Sequence, residues 1–384
     1  MTGRDARPIV VGIDASRNRS GGAIAHAVGI LRDSDPPAHG IARVHVWSYR
    51  ALLDALPDVP WLVKHNPADV ERSLARQMWW QYRHLPREAA AAGCDVLLNT
   101  DAGTVCPFRP GVTMSRDMLS YEGRERRRYG WTKARLRLEL LRYVQARSLR
   151  RADGAIFLTN YAAQVIQDFT TPLRSVAIVP HGLGAEFRQP GGGAWPETHR
   201  PVRCLYVSNV AMYKHQWHVV RAMALLRERG HDVQLVLAGD TAGRAWPRLE
   251  AELIRSDPDG GFVTCTGALR RDQIPPLLAS ADLFIFASSC ENMPNTLIEA
   301  MASGLPIACA RRGPMPEVLQ DGGVYFDPED PASIAEAVER LVVDRPLRMR
   351  LAARARELSE QYSWSRCASE TWAFLRRVAD ARPV

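Results

Sequence analysis

Short apolar, β-branched runs alternate with longer stretches of helical period along most of the chain. In the first half, Ile9–Ile13, Ala42–Trp47, Val96–Asn99, Ala155–Thr159 and Ser175–Val179 predict strands. In the second half the strand runs are Cys204–Ser208, Val233–Ala238, Gly261–Thr266, Leu283–Ala287, Ile307–Ala310 and Val324–Phe326. Between them, Gly22–Leu31, Ser73–Leu85, Thr132–Arg151, His218–Arg229 and Ile274–Ala281 carry a helical pattern. Apolar strands separated by helices predict parallel sheets covered on both faces. The period breaks at Gln189–Pro201, whose three glycines and three prolines extend neither a helix nor a central strand. This stretch reads as a linker between an α/β domain over residues 1–188 and a second over 202–363, with a cleft between them. Two more helical segments, Leu347–Gln361 and Trp364–Val378, follow the last strand, and the stretch 364–384 is free to pack back on the first domain.

Composition narrows the function class. The chain has 384 residues, 46% hydrophobic and 24% charged, which excludes a disordered or fibrous protein. No run reaches the roughly 18 uncharged apolar residues of a membrane span. Met1 leads into the first strand without an apolar leader, so no signal peptide is expected. Seven cysteines without C-x-x-C spacing, several of them in apolar runs (Cys204, Cys265, Cys309), read as buried thiols of a cytoplasmic protein. The ten histidines are dispersed, and His215 and His218 lack a nearby carboxylate or cysteine, so neither metal nor cofactor is expected. A net charge of +8 suits an anionic partner, and its location decides which.

The chemistry concentrates in Ala287–Pro306. A strand ends there, a polar turn follows, and a helix starts near Pro294, where a missing N–H costs nothing. Free amides at such a helix start, at the carboxyl end of a sheet, suit an anionic ligand. Glu291 precedes the helix and Glu299 lies inside it, placed to hold hydroxyls near a phosphate and a ribose diol. A second loop, Leu205–Gln216, brings Ser208, Asn209 and Lys214 to the end of another strand, where a lysine can meet charge that grows on a leaving nucleotide. In the first half, Gly21 and Gly22 open a helix after strand one, in a spacing unlike a dinucleotide fingerprint.

These residues resemble the retaining glycosyltransferases of family 4, whose GT-B fold pairs two Rossmann-like parallel-sheet domains across a cleft. The resemblance rests on Glu291 and Glu299 spaced as E-x7-E, the run Glu299–Pro306, the downstream Arg312–Val318, and more weakly Ile178–Leu183, and it covers about residues 200–360. It implies Glu291 and Lys214 as catalytic residues, with Glu291 on the donor sugar and Glu299 on the ribose. Ser208, Asn209 and the amides around Met293, Pro294, Asn295 and Thr296 would complete donor binding. Members carry an arginine where this chain has Asn209, so either Asn209 donates neutral hydrogen bonds or Arg270 or Arg271 compensates. Gly21, Gly22, Arg116, Asp117 and His181 would face the acceptor. The implied activity is transfer of a hexose, such as mannose, from a nucleotide diphosphate sugar (GDP-mannose or a UDP-sugar) to a glycan or lipid-linked acceptor, as in surface-polysaccharide or lipopolysaccharide assembly. A nucleotide-sugar epimerase of the same shape and a catalytically silent nucleotide-sugar binder are the alternatives.

The basic stretch Arg124–Arg151 bears on localisation. Leu136, Leu140, Leu141, Val144 and Leu149 recur near helical period, so one face is expected to pack and the other to be basic. With Tyr129 and Trp131 at its start, it reads as a contact to the anionic inner face of a membrane. No nucleic-acid-binding pattern accompanies the charge.

Overall fold

A computed structural model describes residues 7–19, 21–188 and 200–381. The expected linker lies, apart from Arg200 and Pro201, outside the described residues. The chain forms two compact units. One comprises residues 1–121, 129–182 and 362–384, the other 122–128 and 183–361.

The first unit holds a seven-stranded sheet in the order β3-β2-β1-β4-β5-β6-β7. Its strands are β1 Ile9–Asp14, β2 Ile41–Trp47, β3 Leu62–His65, β4 Val96–Asn99, β5 Gly111–Met114, β6 Gly154–Phe157 and β7 Val176–Ile178. The second unit holds a six-stranded sheet ordered β10-β9-β8-β11-β12-β13. Its strands are β8 Val202–Val207, β9 Val233–Ala238, β10 Val263–Gly267, β11 Leu283–Phe286, β12 Ile307–Ala310 and β13 Val324–Phe326. Every pair in both sheets is parallel. The central strands β4, β5, β6, β11 and β12 are buried on both faces, which is why all of them but β5 read as apolar runs. In each sheet the order reverses beside the first strand, at β1/β4 and β8/β11. Ligands of such sheets bind outside the carboxyl ends of the strands at that point.

The final helix, Trp364–Asp380, packs within the first unit. An added Cβ at Gly29 would lie 2.2 Å from the Trp364 ring, and one at Gly182 would lie 2.2 Å from the Trp364 backbone. Both positions are glycine because the helix and its leading turn occupy the space a side chain would need.

The structure departs from the sequence reading in several places. Two strands were not expected. β3 is a four-residue edge strand containing Lys64 and His65, and β5 is four residues long and follows Pro110. The single helix expected over Ser73–Leu85 is two, Leu74–Arg83 and Leu85–Ala91, with Pro86 in the first turn of the second. Cys265 is exposed, because β10 is an edge strand; Cys94, Cys204, Cys290, Cys309 and Cys367 are buried. The basic stretch is divided between units: the short helix Gly123–Arg127 belongs to the second and the helix Lys133–Arg151 to the first. On that longer helix Gln145, Ala146 and Leu149 pack inward, whereas Leu136, Leu140 and Val144 face solvent. The apolar period there marks an outer surface as well as a core face.

Candidate functional site

In the second unit, the loops after β8 and β11 leave adjacent strands at the reversal of sheet order. The β8 loop is held by its neighbours. Gly239, at φ 152°, passes so close that a Cβ would lie 2.2 Å from the Ser208 carbonyl oxygen. Gln216 Nε2 donates to Ser208 Oγ at 2.8 Å and to the Asn209 carbonyl at 3.0 Å. Asn209 itself is exposed, and its Oδ1 accepts the Asp240 N–H at 3.2 Å. It therefore stitches two loops together and supplies no charge. Tyr206 OH donates to the Lys214 carbonyl at 2.8 Å, fixing the backbone of the lysine.

Lys214 Nζ and Glu291 Oε1 form an ion pair that ties the two loops, with the side chains 13% and 16% exposed. The ammonium also lies 5.3 Å from the Tyr213 ring centre and 5.6 Å from that of Phe286. Behind it, His215 sits in the left-handed region at φ 54° and begins the helix Gln216–Glu228. Its Nε2 meets Ser289 Oγ at 2.9 Å, and Ser289 N–H donates to the Tyr213 carbonyl at 2.8 Å. Burial first, then the positive charge of Arg128, lowers the His215 pKa to about 3, with His218, Arg124 and Arg312 adding to the effect. This imidazole is neutral at any physiological pH.

The helix of the E-x7-E segment runs Asn295–Ala302, one residue later than expected. Pro294 caps it, and its carbonyl accepts the Leu297 and Ile298 amides at 3.0 and 3.2 Å. Met293 and Pro294 are buried, while Asn295 and Thr296 are half-buried at the helix start. The Asn295 N–H is committed to the Met293 carbonyl at 3.0 Å. About one turn in, Glu299 is 8% exposed by its side chain and meets Arg271 Nη1 at 3.4 Å. Burial is the main cause that pushes its carboxyl up to about 7; Arg271 opposes the shift and Glu186 adds to it. Arg271 also reaches Glu186 at 3.8 Å and lies 5.1 Å over the Phe187 ring. Of the two proposed compensating cations, Arg271 is therefore engaged at Glu299, and Arg270 pairs with Asp272 at 2.8 Å on the surface.

Sequence reasoning missed the cations beside His215. Residues 122–128, distant in the chain, reach the second unit through Glu329: Arg124 pairs with it at 2.8 Å, and Arg128 pairs with both Glu329 and Glu125. His218 Nδ1 meets the Pro328 carbonyl of the same loop at 2.9 Å. No local motif marks a segment that joins a domain across 200 residues of sequence.

In the first unit, Gly21 and Gly22 open the helix Gly21–Arg32 at the end of β1, and Gly21 is exposed with open space around it. Arg116, after β5, donates to Asn18 Oδ1 at 2.7 Å, and burial lowers its pKa to about 10. His181 stacks, tilted, 4.9 Å from His26, whose pKa is lowered by burial and then by His181 and Arg116. Arg116 and His181 thus converge on His26, a residue the sequence reading did not single out. Asp117 turns the other way, accepting the Leu119 N–H at 3.1 Å and a bond from Gln145 at 3.3 Å. It holds its own turn and does not join Arg116. Among the described residues no group of three or more His, Cys, Asp or Glu could hold a metal ion, and no helix is long and apolar enough to cross a membrane.

Comparisons with known proteins bear on the family and the fold. Residues 201–344 match the family described as Glycosyl transferases group 1. The chain is 32% identical over 182 residues to the alpha-D-kanosaminyltransferase of Streptomyces kanamyceticus, covering 47% of this chain and 46% of that protein, so the match spans about half the relative's length. It is 27% identical over 288 residues to the GDP-mannose-dependent alpha-(1-6)-phosphatidylinositol monomannoside mannosyltransferase of Mycobacterium tuberculosis, covering 70% of this chain and 71% of that one. The fold matches sucrose-phosphate synthase from Thermosynechococcus elongatus with a TM-score of 0.76, at 16% identity, over 97% of this chain and 100% of the other. Residues 201–344 are therefore a Glycosyl transferases group 1 domain, within a chain built on the GT-B glycosyltransferase fold of two parallel-sheet Rossmann-like units.

Proposed function

We propose that the protein transfers a hexose, of the mannose type, from a nucleotide diphosphate sugar to a glycan or lipid-linked acceptor with retention of configuration. The observation that carries this reading is the Lys214–Glu291 pair at the reversal point of the second sheet, with Glu299 about one turn along the adjoining helix. Transfer makes charge on the departing diphosphate, and a preorganised ammonium in a site of 13–16% side-chain exposure stabilises that charge more than water does. Glu291, released from Lys214 when phosphate takes its place, accepts hydroxyls of the donor sugar. Glu299 accepts a ribose diol. Such a site stabilises a leaving group and provides no strong general base. GDP-mannose as donor is supported by the mycobacterial relative, whose name states that dependence. A lipid-linked acceptor would place the work at the cytoplasmic face of a membrane. A nucleotide-release assay with candidate nucleotide sugars tests the reading: release that rises with added glycan or lipid-linked acceptor supports transfer. Turnover of the sugar without acceptor would establish an epimerase, and no turnover of any donor a silent binder.

A further inference from the structure

The helix Lys133–Arg151 has an outer face that the glycosyl-transfer reading leaves unused. Leu136 is 61% exposed, Leu140 60%, Tyr143 57% and Val144 40%, and Trp131, just before the helix, is 95% exposed. One exposed leucine is ordinary, but four apolar side chains within one arc of a helix, next to a fully open tryptophan, form a patch. From Leu136 to Val144 the apolar section runs about 12 Å along the axis, a rise of about 1.5 Å at each step. Exposed cations close it at both ends, Lys133 before it and Arg147 and Arg151 after it, and the exposed Arg137 flanks it. The only acid of the helix, Glu139, is paired with Arg142 at 2.9 Å and leaves the face without negative charge.

We infer that this face is an interfacial anchor, which lays Leu136, Leu140, Tyr143 and Val144 among the headgroups and upper acyl chains of an anionic bilayer. The charge pattern selects this occupant. A lipid surface supplies apolar depth under the middle of the helix and phosphate on either side of it, which is what the face presents in complement. A helix lying in the plane needs no more than this short apolar section, whereas crossing would need roughly 20 residues. Trp131, with Arg135 4.8 Å over its ring, joins an aromatic plane to a cation at the depth where indoles favour the interface. The binding is apolar first and electrostatic second. Of the cations at residues 124–128, by contrast, Arg126 is buried and Arg124 and Arg128 are held by Glu329, which leaves them less available to a surface.

Sedimentation of the full chain with vesicles of phosphatidylcholine and phosphatidylglycerol in equal parts tests this. The wild type is expected to pellet with the vesicles, and L136D/L140D to bind about tenfold more weakly or less, as expected when apolar contact carries the affinity. Both leucines are exposed, so the variant should keep the wild-type unfolding temperature. Raising ionic strength from about 0.1 M to about 1 M, which shortens the Debye length from roughly 10 to 3 Å, should weaken wild-type binding without bringing it down to the level of the variant. Quenching of tryptophan emission by brominated lipid should fall in W131F. Three results would overturn the proposal: a wild type that ignores these vesicles, L136D/L140D binding as well as wild type, or a wild-type dimer that L136D/L140D converts to monomer. The last would assign the face to a second copy of the chain. None of these bears on nucleotide release, so the anchor and the transferase reading fail separately.

Discussion

Replacing Glu299 by Gln should stabilise the second unit in a way that grows with pH. In the folded protein burial raises the Glu299 carboxyl from an ordinary 4.5 to about 7, against the opposing charge of Arg271. The sign follows from linkage. The folded state binds the proton more tightly than the unfolded chain, so the group favours folding fully below 4.5, and that contribution is lost as pH rises toward 7. Above that, an ionised carboxylate sits at 8% side-chain exposure with one half-exposed guanidinium 3.4 Å away. At about 1.4 kcal/mol for each pH unit, the span from 4.5 to about 7 corresponds to a ceiling of about 3 kcal/mol. Glutamine keeps the shape and never ionises. Urea unfolding of wild type and E299Q is therefore expected to give equal stabilities near pH 4.5, and an advantage for the variant approaching 3 kcal/mol, on the order of its ceiling, above pH 8. In thermal unfolding this amounts to roughly 5 °C or more for a unit of this size. The same groups predict proton release when nucleoside diphosphate binds near pH 6.5, because ribose hydroxyls favour the carboxylate; E299Q should abolish that release in calorimetry across buffers of different ionisation enthalpy. An advantage independent of pH, or a variant less stable than wild type above pH 8, would refute the reasoning.

Lys214→Ala should cut turnover about a hundredfold or more, the cost of losing one preorganised electrostatic donor, while thermal unfolding changes little. Glu291→Gln should lower kcat with little effect on nucleoside diphosphate affinity, and steady-state kinetics beside calorimetry separate the two. Treatment with a chelator should leave nucleotide release unchanged, since the proposed leaving-group charge is met by Lys214 and the loop amides; loss of activity restored by a divalent cation would contradict this. Gly29→Ala should destabilise the first unit by about 1–3 kcal/mol, as overpacking against the Trp364 ring, read by denaturant unfolding.

Much of the architecture was legible because a parallel sheet buried on both faces writes itself as unbroken apolar runs, as in β11 and β12. β3 and β5 were not, since four-residue strands with Lys64, or with a glycine start after a proline, carry too little pattern. Glu299 stood out in its E-x7-E frame, but its pairing with Arg271 did not, because a contact between separate elements 28 residues apart has no local signature. The same holds for Arg124 and Arg128, whose partner Glu329 lies 205 and 201 residues away. Periodicity at Leu136, Leu140 and Val144 told that the helix is two-faced without telling which face is wet. That is set by what the rest of the unit covers.

The assignment of residues 122–128 to the second unit and 362–384 to the first means the chain passes between the units four times. During synthesis the first unit cannot close when its seven strands have emerged. Trp364, which fills the space beside Gly29, is made only after every residue of the second unit has been made. Until then the groove that receives this helix stays open in the nascent chain, and a chain cut short just before Trp364 leaves the first unit incomplete although the second is whole.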